Sequence, residues 1–293
     1  MAQSGEYPQG QGVIRLEVKG QHPFPTGVVV LAAGQARRMG RLKQLLPLGG
    51  RPLVEWTLDT AAGAGVGPVV AVLHPAVAAA GIPRRPLPGL HPVVNPWPER
   101  GQARSLRLGL RTLLQVEPAL AAVLVVLADQ PFIPAPVLAG LVEALRDAVA
   151  GSSTAGPGGV SGGPPPSPWP ATAPVAARPV WQGQPGHPVL LGRPLFPEVL
   201  SLTGDEGARP LLRRHRDRLL HWPAPGPEVT LDLDTWADYE AACRRLGFPV
   251  PAPVAGPPST APTGDGPRHR SGAASHGQAP GDLREQVSKE ERP

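Results

Sequence analysis

Apolar runs of two kinds alternate through the first half of this chain, and their order predicts its architecture. Val28-Val29-Val30-Leu31-Ala32-Ala33 is unbroken, short and rich in β-branched residues, the pattern of a strand buried on both faces. The stretches from Pro68 to Leu73 and from Ala122 to Ala128 repeat it. Elsewhere apolar residues recur at helical spacing. Leu53, Trp56, Leu58 and Ala61 follow Pro52 and predict a helix from Leu53 to Ala62, and Leu106, Leu110, Leu113 and Leu114 predict another from Ser105. Strand, helix and strand in this order predict an α/β protein with a doubly wound, mostly parallel sheet. Further on, the pattern predicts a helix from about Pro136 to Val149, then a β-hairpin over Pro179 to Gln182 and Gly186 to Leu191. A short helix over Phe196 to Leu202 and strands at Arg218 to Trp222 and Val229 to Thr235 follow, with a last helix from Trp236 to Leu246.

Composition separates this periodic part from the rest. The chain has 293 residues, with Gly 36 and Pro 42, and much of that excess falls where no periodicity survives. Residues 1–25 read as an unordered leader and 26–248 as one domain. Within the domain, 151–174 (Gly, Ser, Pro and Ala) reads as a flexible insertion, and 249–293 as a disordered tail. The formal net charge is +5 and aromatic residues are 4% of the chain. The positive charge is spread out, without a basic run interleaved with aromatics, so no nucleic-acid partner is expected. No basic segment leads into an apolar core as in a signal peptide, and no apolar run is long enough for a membrane span, so a cytoplasmic, membrane-free protein is expected. The single cysteine, Cys243, rules out an internal disulfide and reads as a packed thiol on the last helix.

Chemistry is concentrated where the buried strands end. The first runs into Gly34, Arg37, Arg38, Gly40, Arg41 and Lys43. Glycine lets the backbone approach a phosphate, exposed N–H groups point at it, and Arg or Lys neutralises its charge. The spacing is neither a Walker A loop nor a dinucleotide fingerprint. The alternative is an ordinary βα turn with surface arginines. A second turn, Asn95-Pro96-Trp97 to Gly101, opens the helix that carries Ser105, which places free N–H groups at a helix N-terminus or else makes Ser105 a cap. The strongest strand ends in Asp129-Gln130-Pro131. A carboxylate there overlies the sheet crevice, where a magnesium ion carrying nucleotide phosphates would suit it; capping of the next helix is the structural alternative. A second acidic end, Asp232-Leu233-Asp234-Thr235, comes late in the chain.

Leu31-Ala32-Ala33-Gly34, Arg38-Met39-Gly40 and Lys43 together resemble the signature loop of the molybdenum cofactor cytidylyltransferases, within the MobA-like NTP transferase family. The resemblance extends over about residues 27 to 246, through Asn95-Pro96-Trp97 with Gly101 and Ser105, Leu127-Ala128-Asp129-Gln130-Pro131, Gly186-His187-Pro188-Val189-Leu190, Gly204-Asp205 with Gly207-Ala208-Arg209, and Asp232 to Tyr239. It implies a Rossmann-like nucleotide-diphospho-sugar transferase fold with a small β-hairpin insertion over the acceptor site. It also implies Mg2+-dependent transfer of CMP from CTP to the terminal phosphate of the molybdopterin cofactor, with release of pyrophosphate. By that resemblance Arg38, Lys43 and Asp129 are catalytic, and Leu31, Ala32, Ala33, Gly34, Arg38, Met39, Gly40, Lys43, Asn95, Gly101 and Ser105 hold the nucleotide. Gly186, His187, Pro188, Asp205 and Arg209 hold the acceptor, and Asp129 and Asp234 hold the metal, with Asp232 behind. Trp236-Ala237 stands where the family has Pro-Glu, which predicts a weakened cap on the last helix. A molybdenum hydroxylase is the client the resemblance implies.

Two other readings fit the same residues. A guanylyltransferase would keep the fold and change the nucleotide; the Leu-Ala-Ala-Gly loop and Asn95-Pro96-Trp97 favour CTP. A molybdopterin-binding maturation factor for a xanthine-dehydrogenase-type enzyme would keep the acceptor and lose the chemistry, and the retained Arg38, Lys43, Asp129 and Asp234 count against it. A redox enzyme that reused the fold lacks its dinucleotide fingerprint.

Overall fold

The computed structural model describes residues 24–35, 42–152 and 169–250. The sequence of elements begins β1 (Thr26–Ala32), β2 (Pro47–Leu48), β3 (Arg51–Pro52), α1 (Leu53–Gly63), β4 (Val69–Leu73), α2 (Pro75–Ala79) and β5 (Leu90–Val94). It continues α3 (Gln102–Val116), β6 (Ala122–Leu127), α4 (Ala135–Gly151), β7 (Ala176–Trp181), β8 (Gln184–Pro185) and β9 (Val189–Gly192). It closes with α5 (Phe196–Ser201), α6 (Arg209–Arg214), β10 (Leu219–Pro223) and α7 (Trp236–Arg245).

The main sheet runs β10-β7-β9-β6-β1-β4-β5, with β8 paired to β7. Strands β5, β4, β1 and β6 are parallel, with Leu31 of β1 opposite Val72 of β4 and Leu127 of β6. Strand β9 enters antiparallel between β6 and β7, and β10 is parallel to β7. The continuous apolar runs have a direct cause in this layering. Val28, Val30 and Ala32 of β1 face a core that includes Leu58 of α1 and Leu138, Leu141 and Leu145 of α4. Val29 and Leu31 face the opposite core, with Leu106, Leu110 and Leu113 of α3 and Phe196 and Val199 of α5. A strand covered by helices on both faces has no position for a polar side chain. Gly109 is where α3 comes closest: a Cβ there would lie 2.5 Å from Val29 Cγ1.

The chain lays β4 and β5 on one side of β1 and then returns to place β6 on the other. The strand order therefore reverses between β1 and β6, and the crevice at their carboxyl ends is where ligands of open α/β sheets bind.

A third apolar cluster docks the C-terminal helix. Tyr239, Ala242 and Cys243 of α7 pack with Leu233, Leu46, Leu48 and Leu53, and Tyr239 Oη donates to the Pro47 carbonyl at 2.5 Å. Its target is the β2–β3 hairpin, closed by Gly49 (φ 60) and Gly50 (φ 79), the two positive φ values of a type I′ turn.

Three expectations change. Val229 to Thr235 is not a strand: Pro227–Thr230 forms a 3-10 turn. The segment spends its polar groups on other partners, with Val229 O accepting from His187 N at 2.8 Å and Leu233 N donating to Asp129 O at 3.2 Å. Helix α3 starts at Gln102, so Ser105 lies inside it instead of capping it. Within the stretch 151–174, Gly151 ends α4, and Trp169 and Ala173 pack against the domain while Ala171 and Thr172 between them are exposed. Trp169 lies 5.8 Å from Phe24 ring to ring, donates to Pro174 O at 3.1 Å, and Ala173 is fully buried. Residues 153–168, the leader through residue 23 and the tail from residue 251 lie outside the described residues. Among the described residues no helix is long and apolar enough to cross a membrane.

Candidate active site

Strand β1 delivers Leu31, Ala33 and Gly34 to the crevice, and β6 delivers Leu127, Ala128 and Asp129. A 3-10 turn, Lys43–Leu45, follows the loop after β1, and its middle residue, Gln44, ties it back by donating to Gly34 O at 3.0 Å. Lys43 is thereby aimed across the crevice. Its ammonium donates to Asp129 Oδ2 and to Asp234 Oδ1, each at 2.8 Å. Asp234 arrives from far along the chain because it immediately precedes α7, whose apolar face is fixed against the β2–β3 hairpin.

The helix behind Asp234 is firmly started, contrary to the weakened cap expected from Trp236-Ala237. Thr235 and Asp238 form a complete capping box, with Asp238 N donating to Thr235 Oγ1 at 3.2 Å and Thr235 N donating to Asp238 Oδ2 at 2.8 Å. The box needs only the N-cap and N3 residues, so the two residues between them are free to change.

The electrostatics follow from that geometry. Burial alone would lower the Lys43 pKa, but Asp129 and Asp234 outweigh it and hold it above the ordinary lysine value. The Asp232 carboxyl is pushed up, first by desolvation and further by Asp129 and Asp234, against the hydrogen bond it accepts from Gln130.

A cavity of about 360 Å³ opens here, lined by Leu31, Ala33, Gly34, Lys43, Gly101 and Ser105 among the residues expected at the nucleotide, and by Asp129 and Asp234. Ala32 and Asn95 are fully buried. Asn95 works as an internal tie: its amide donates to Ser105 Oγ at 3.0 Å, and its carbonyl accepts from Trp97 N and Arg104 Nε at 3.1 Å. Arg38, Met39 and Gly40 lie outside the described residues.

The N-terminus of α3 is already occupied. Gln102 N donates to Asp205 Oδ1 at 3.0 Å and Ala103 N to Gly204 O at 3.2 Å. Gly101 (φ 91) permits this clamp, since a Cβ on it would lie 2.3 Å from Gly204 O. The free N–H groups expected there are spent on the chain itself. Asp205 caps a helix 103 residues upstream and lines the first cavity.

A second cavity of about 660 Å³ adjoins the first, and Leu31, Gln102 and Leu127 line both. His187 and Arg209 line it together with Arg178, Arg213, Arg216 and Asp232. Gly186 and Pro188 form its buried support; Gly186 presses so closely on Val229 that a Cβ would lie 2.3 Å from the Val229 carbonyl oxygen. Burial, helped by Arg178, holds the His187 imidazole down at about 4, so it is neutral at pH 7. Arg178, Arg213 and Arg216 were not among the expected site residues. Arg209 and Arg213, four residues apart on α6, share a helix face and were available to reading; Arg216, which opens a 3-10 turn beyond the end of α6, and Arg178, which arrives from β7, were not.

The donor set suits a hard divalent cation in part. Asp129 and Asp234 supply carboxylate oxygens, and among the described residues no group of three or more His, Cys, Asp or Glu side chains could hold a metal. Magnesium is commonly held by one or two carboxylates with substrate phosphates and water completing the shell, and this pair fits that arrangement.

Known proteins share this architecture. Purine catabolism protein PucB of Bacillus subtilis is 31% identical over 199 residues, which cover 65% of this chain and 82% of PucB. Bifunctional protein GlmU of Pelobacter propionicus is 49% identical over 47 residues, 15% of this chain and only 10% of GlmU. The crystal structure of Rv0371c from Mycobacterium tuberculosis superposes with a TM-score of 0.57 at 29% identity, covering 75% of this chain and 98% of that one. A second structure of Rv0371c is complexed with manganese and matches with a TM-score of 0.55 at 28% identity, covering the same shares. The MobA-like NTP transferase domain matches residues 28–219, which run from β1 to the start of β10 and carry the crevice, Lys43, Asp129 and the lining of both cavities except Asp234 and Asp232. The chain belongs to that family and is a nucleotidyltransferase.

Proposed function

We propose that the protein transfers CMP from CTP to the terminal phosphate of a molybdopterin cofactor. The observation that carries this reading is the Lys43 bridge between Asp129 and Asp234, in the wall of the cavity at the switch point, with a second cavity lined by Arg178, Arg209, Arg213 and Arg216 adjoining it. An oxygen of the acceptor phosphate attacks the α-phosphorus of CTP, a new P–O–P bond forms, and pyrophosphate leaves with the electron pair of the broken bond. The reactants carry like charge, so the protein's work is positioning and neutralisation. Asp129 and Asp234 would hold a divalent cation, Mg2+ in this reading, which offsets phosphate charge when bound.

Ala33, Gly34, Gly101 and Ser105 shape the nucleotide side, and Lys43 stabilises negative charge on the leaving pyrophosphate. The arginines hold the acceptor's phosphate in the second cavity, beside neutral His187. An acceptor that is already a phosphate monoester needs no strong general base. The Leu-Ala-Ala-Gly loop and Asn95-Pro96-Trp97 support CTP over GTP, and a molybdenum hydroxylase is the client this product implies.

The test is metal-dependent pyrophosphate release from CTP and GTP in parallel, with and without a molybdopterin-type acceptor. Release from CTP that requires the acceptor is expected. A preference for GTP would move the protein to guanylyl transfer, and tight acceptor binding without release from either nucleotide would make it a maturation factor.

A further inference from the structure

The Lys43 ammonium stands where a divalent ion held by Asp129 and Asp234 would have to go. It is 2.8 Å from an oxygen of each carboxylate, and the three side chains are 19%, 25% and 43% exposed for Lys43, Asp129 and Asp234. Magnesium binds carboxylate oxygens at about 2.1 Å. An ion at that distance from the same oxygens would face the ammonium at close range, and two cations so placed in a partly buried site repel strongly.

We propose that Lys43 is a placeholder cation and a positioning residue for Asp129 and Asp234: in the nucleotide-free protein it holds the carboxylates together and keeps a free divalent ion out. The metal then enters only with the nucleotide, whose triphosphate draws the lysine away. The proposal rests on Asp129 and Asp234 being the metal pair.

The surroundings suit this exchange. The backbone at Lys43 is fixed, because it opens a 3-10 turn and Gln44 beside it is tied to Gly34 O, so only the side chain has to move. A lysine has a flexible four-carbon stem and rotatable donors, which allow it to trade one anion for another; the rigid fork of arginine does not. The carboxylates share a backbone tie through Leu233 N and Asp129 O at 3.2 Å, so they stay near one another when the lysine leaves. With only two carboxylates supplied by the chain, the ion's shell is incomplete until triphosphate oxygens arrive. Removing Lys43 should therefore move two affinities in opposite directions, which a merely structural lysine would not do.

Mn2+ is the probe, titrated into the full chain by electron paramagnetic resonance. Without nucleotide, Lys43→Met is expected to bind Mn2+ at least about tenfold more tightly than the wild type. With a non-hydrolysable CTP analogue present, the wild type is expected to bind Mn2+ more tightly than the variant. Asp129→Asn added to Lys43→Met should erase the gain. Lys43→Gln serves as a second variant, and circular dichroism establishes that each is folded. Mn2+ affinity in folded Lys43→Met and Lys43→Gln no higher than in the wild type would overturn the placeholder role, as would a gain that survives Asp129→Asn. Absence of Mn2+ binding to the wild type with the analogue would overturn the metal pair itself, and the placeholder with it.

Discussion

Asp129 sits just past the end of β6, and its side chain reaches Lys43 instead of capping α4, whose N-cap, Pro134, has no side-chain hydrogen bond. Asp129→Asn keeps the shape and removes the charge that pairs with Lys43. Turnover is expected to fall by about 10²- to 10³-fold, as when one preorganised electrostatic group is lost. The melting temperature should change little, since partly exposed ion pairs contribute about 1 kcal/mol or less. Pyrophosphate release and thermal melting on the same preparation check both, and near-normal turnover would remove Asp129 from the reaction. His187 makes the complementary prediction about stability. Its imidazole is held down to about 4, against about 6.5 in an unfolded chain. Between those values the unfolded state binds more protons, so the contribution of His187 to stability is full above pH 6.5 and is lost as the pH falls towards 4. His187→Gln should flatten that part of the stability curve. Urea denaturation at stepped pH measures it, and parallel curves for the two proteins would show that His187 is not the titrating group.

Among the elements, α7 shows how a local motif positions a distant group. Thr235 caps it and Asp234 directly precedes it, so fraying of its first turn would release Asp234 from Lys43. Thr235→Ala is expected to cost about 1 kcal/mol in urea denaturation and to lower turnover more than it raises the nucleotide KM; a stability loss with unchanged turnover would show that the cap does not steer Asp234. The buried parallel strands were legible because helices on both faces force unbroken apolar runs: β1, β4 and β6 carry that signature in their own residues. Asp129 was legible at a strand end, and Lys43 in the glycine-containing basic loop that follows one. The clamp on α3 was not, because its partners, Gly204 and Asp205, lie about a hundred residues away and look like a local turn. The Val229 to Thr235 segment misled for a related reason. Its alternating pattern suits a strand, yet its hydrogen bonds go to His187 and Asp129 through tertiary contacts that no local pattern encodes.

At the scale of the molecule, the switch point divides charge as well as strand order. Among the described residues, carboxylates and one lysine face the first cavity, while Arg178, Arg209, Arg213 and Arg216 outnumber Asp232 and Glu206 around the second. Leu31, Gln102 and Leu127 line both, so the two substrates would meet over the ends of β1 and β6. If the division assigns one cavity to each substrate, a change in the second should be felt by the acceptor alone. Arg209→Ala and Arg216→Ala are each expected to raise the acceptor KM about tenfold, the scale of one charge-assisted hydrogen bond, and to leave the nucleotide KM within about twofold. Raising the salt concentration should weaken acceptor binding in the wild type more than in the double variant, because exposed charges are screened. Steady-state kinetics with each substrate varied in turn decides the matter. If both KM values rise together, the arginines serve the nucleotide, and the acceptor must be sought outside the second cavity.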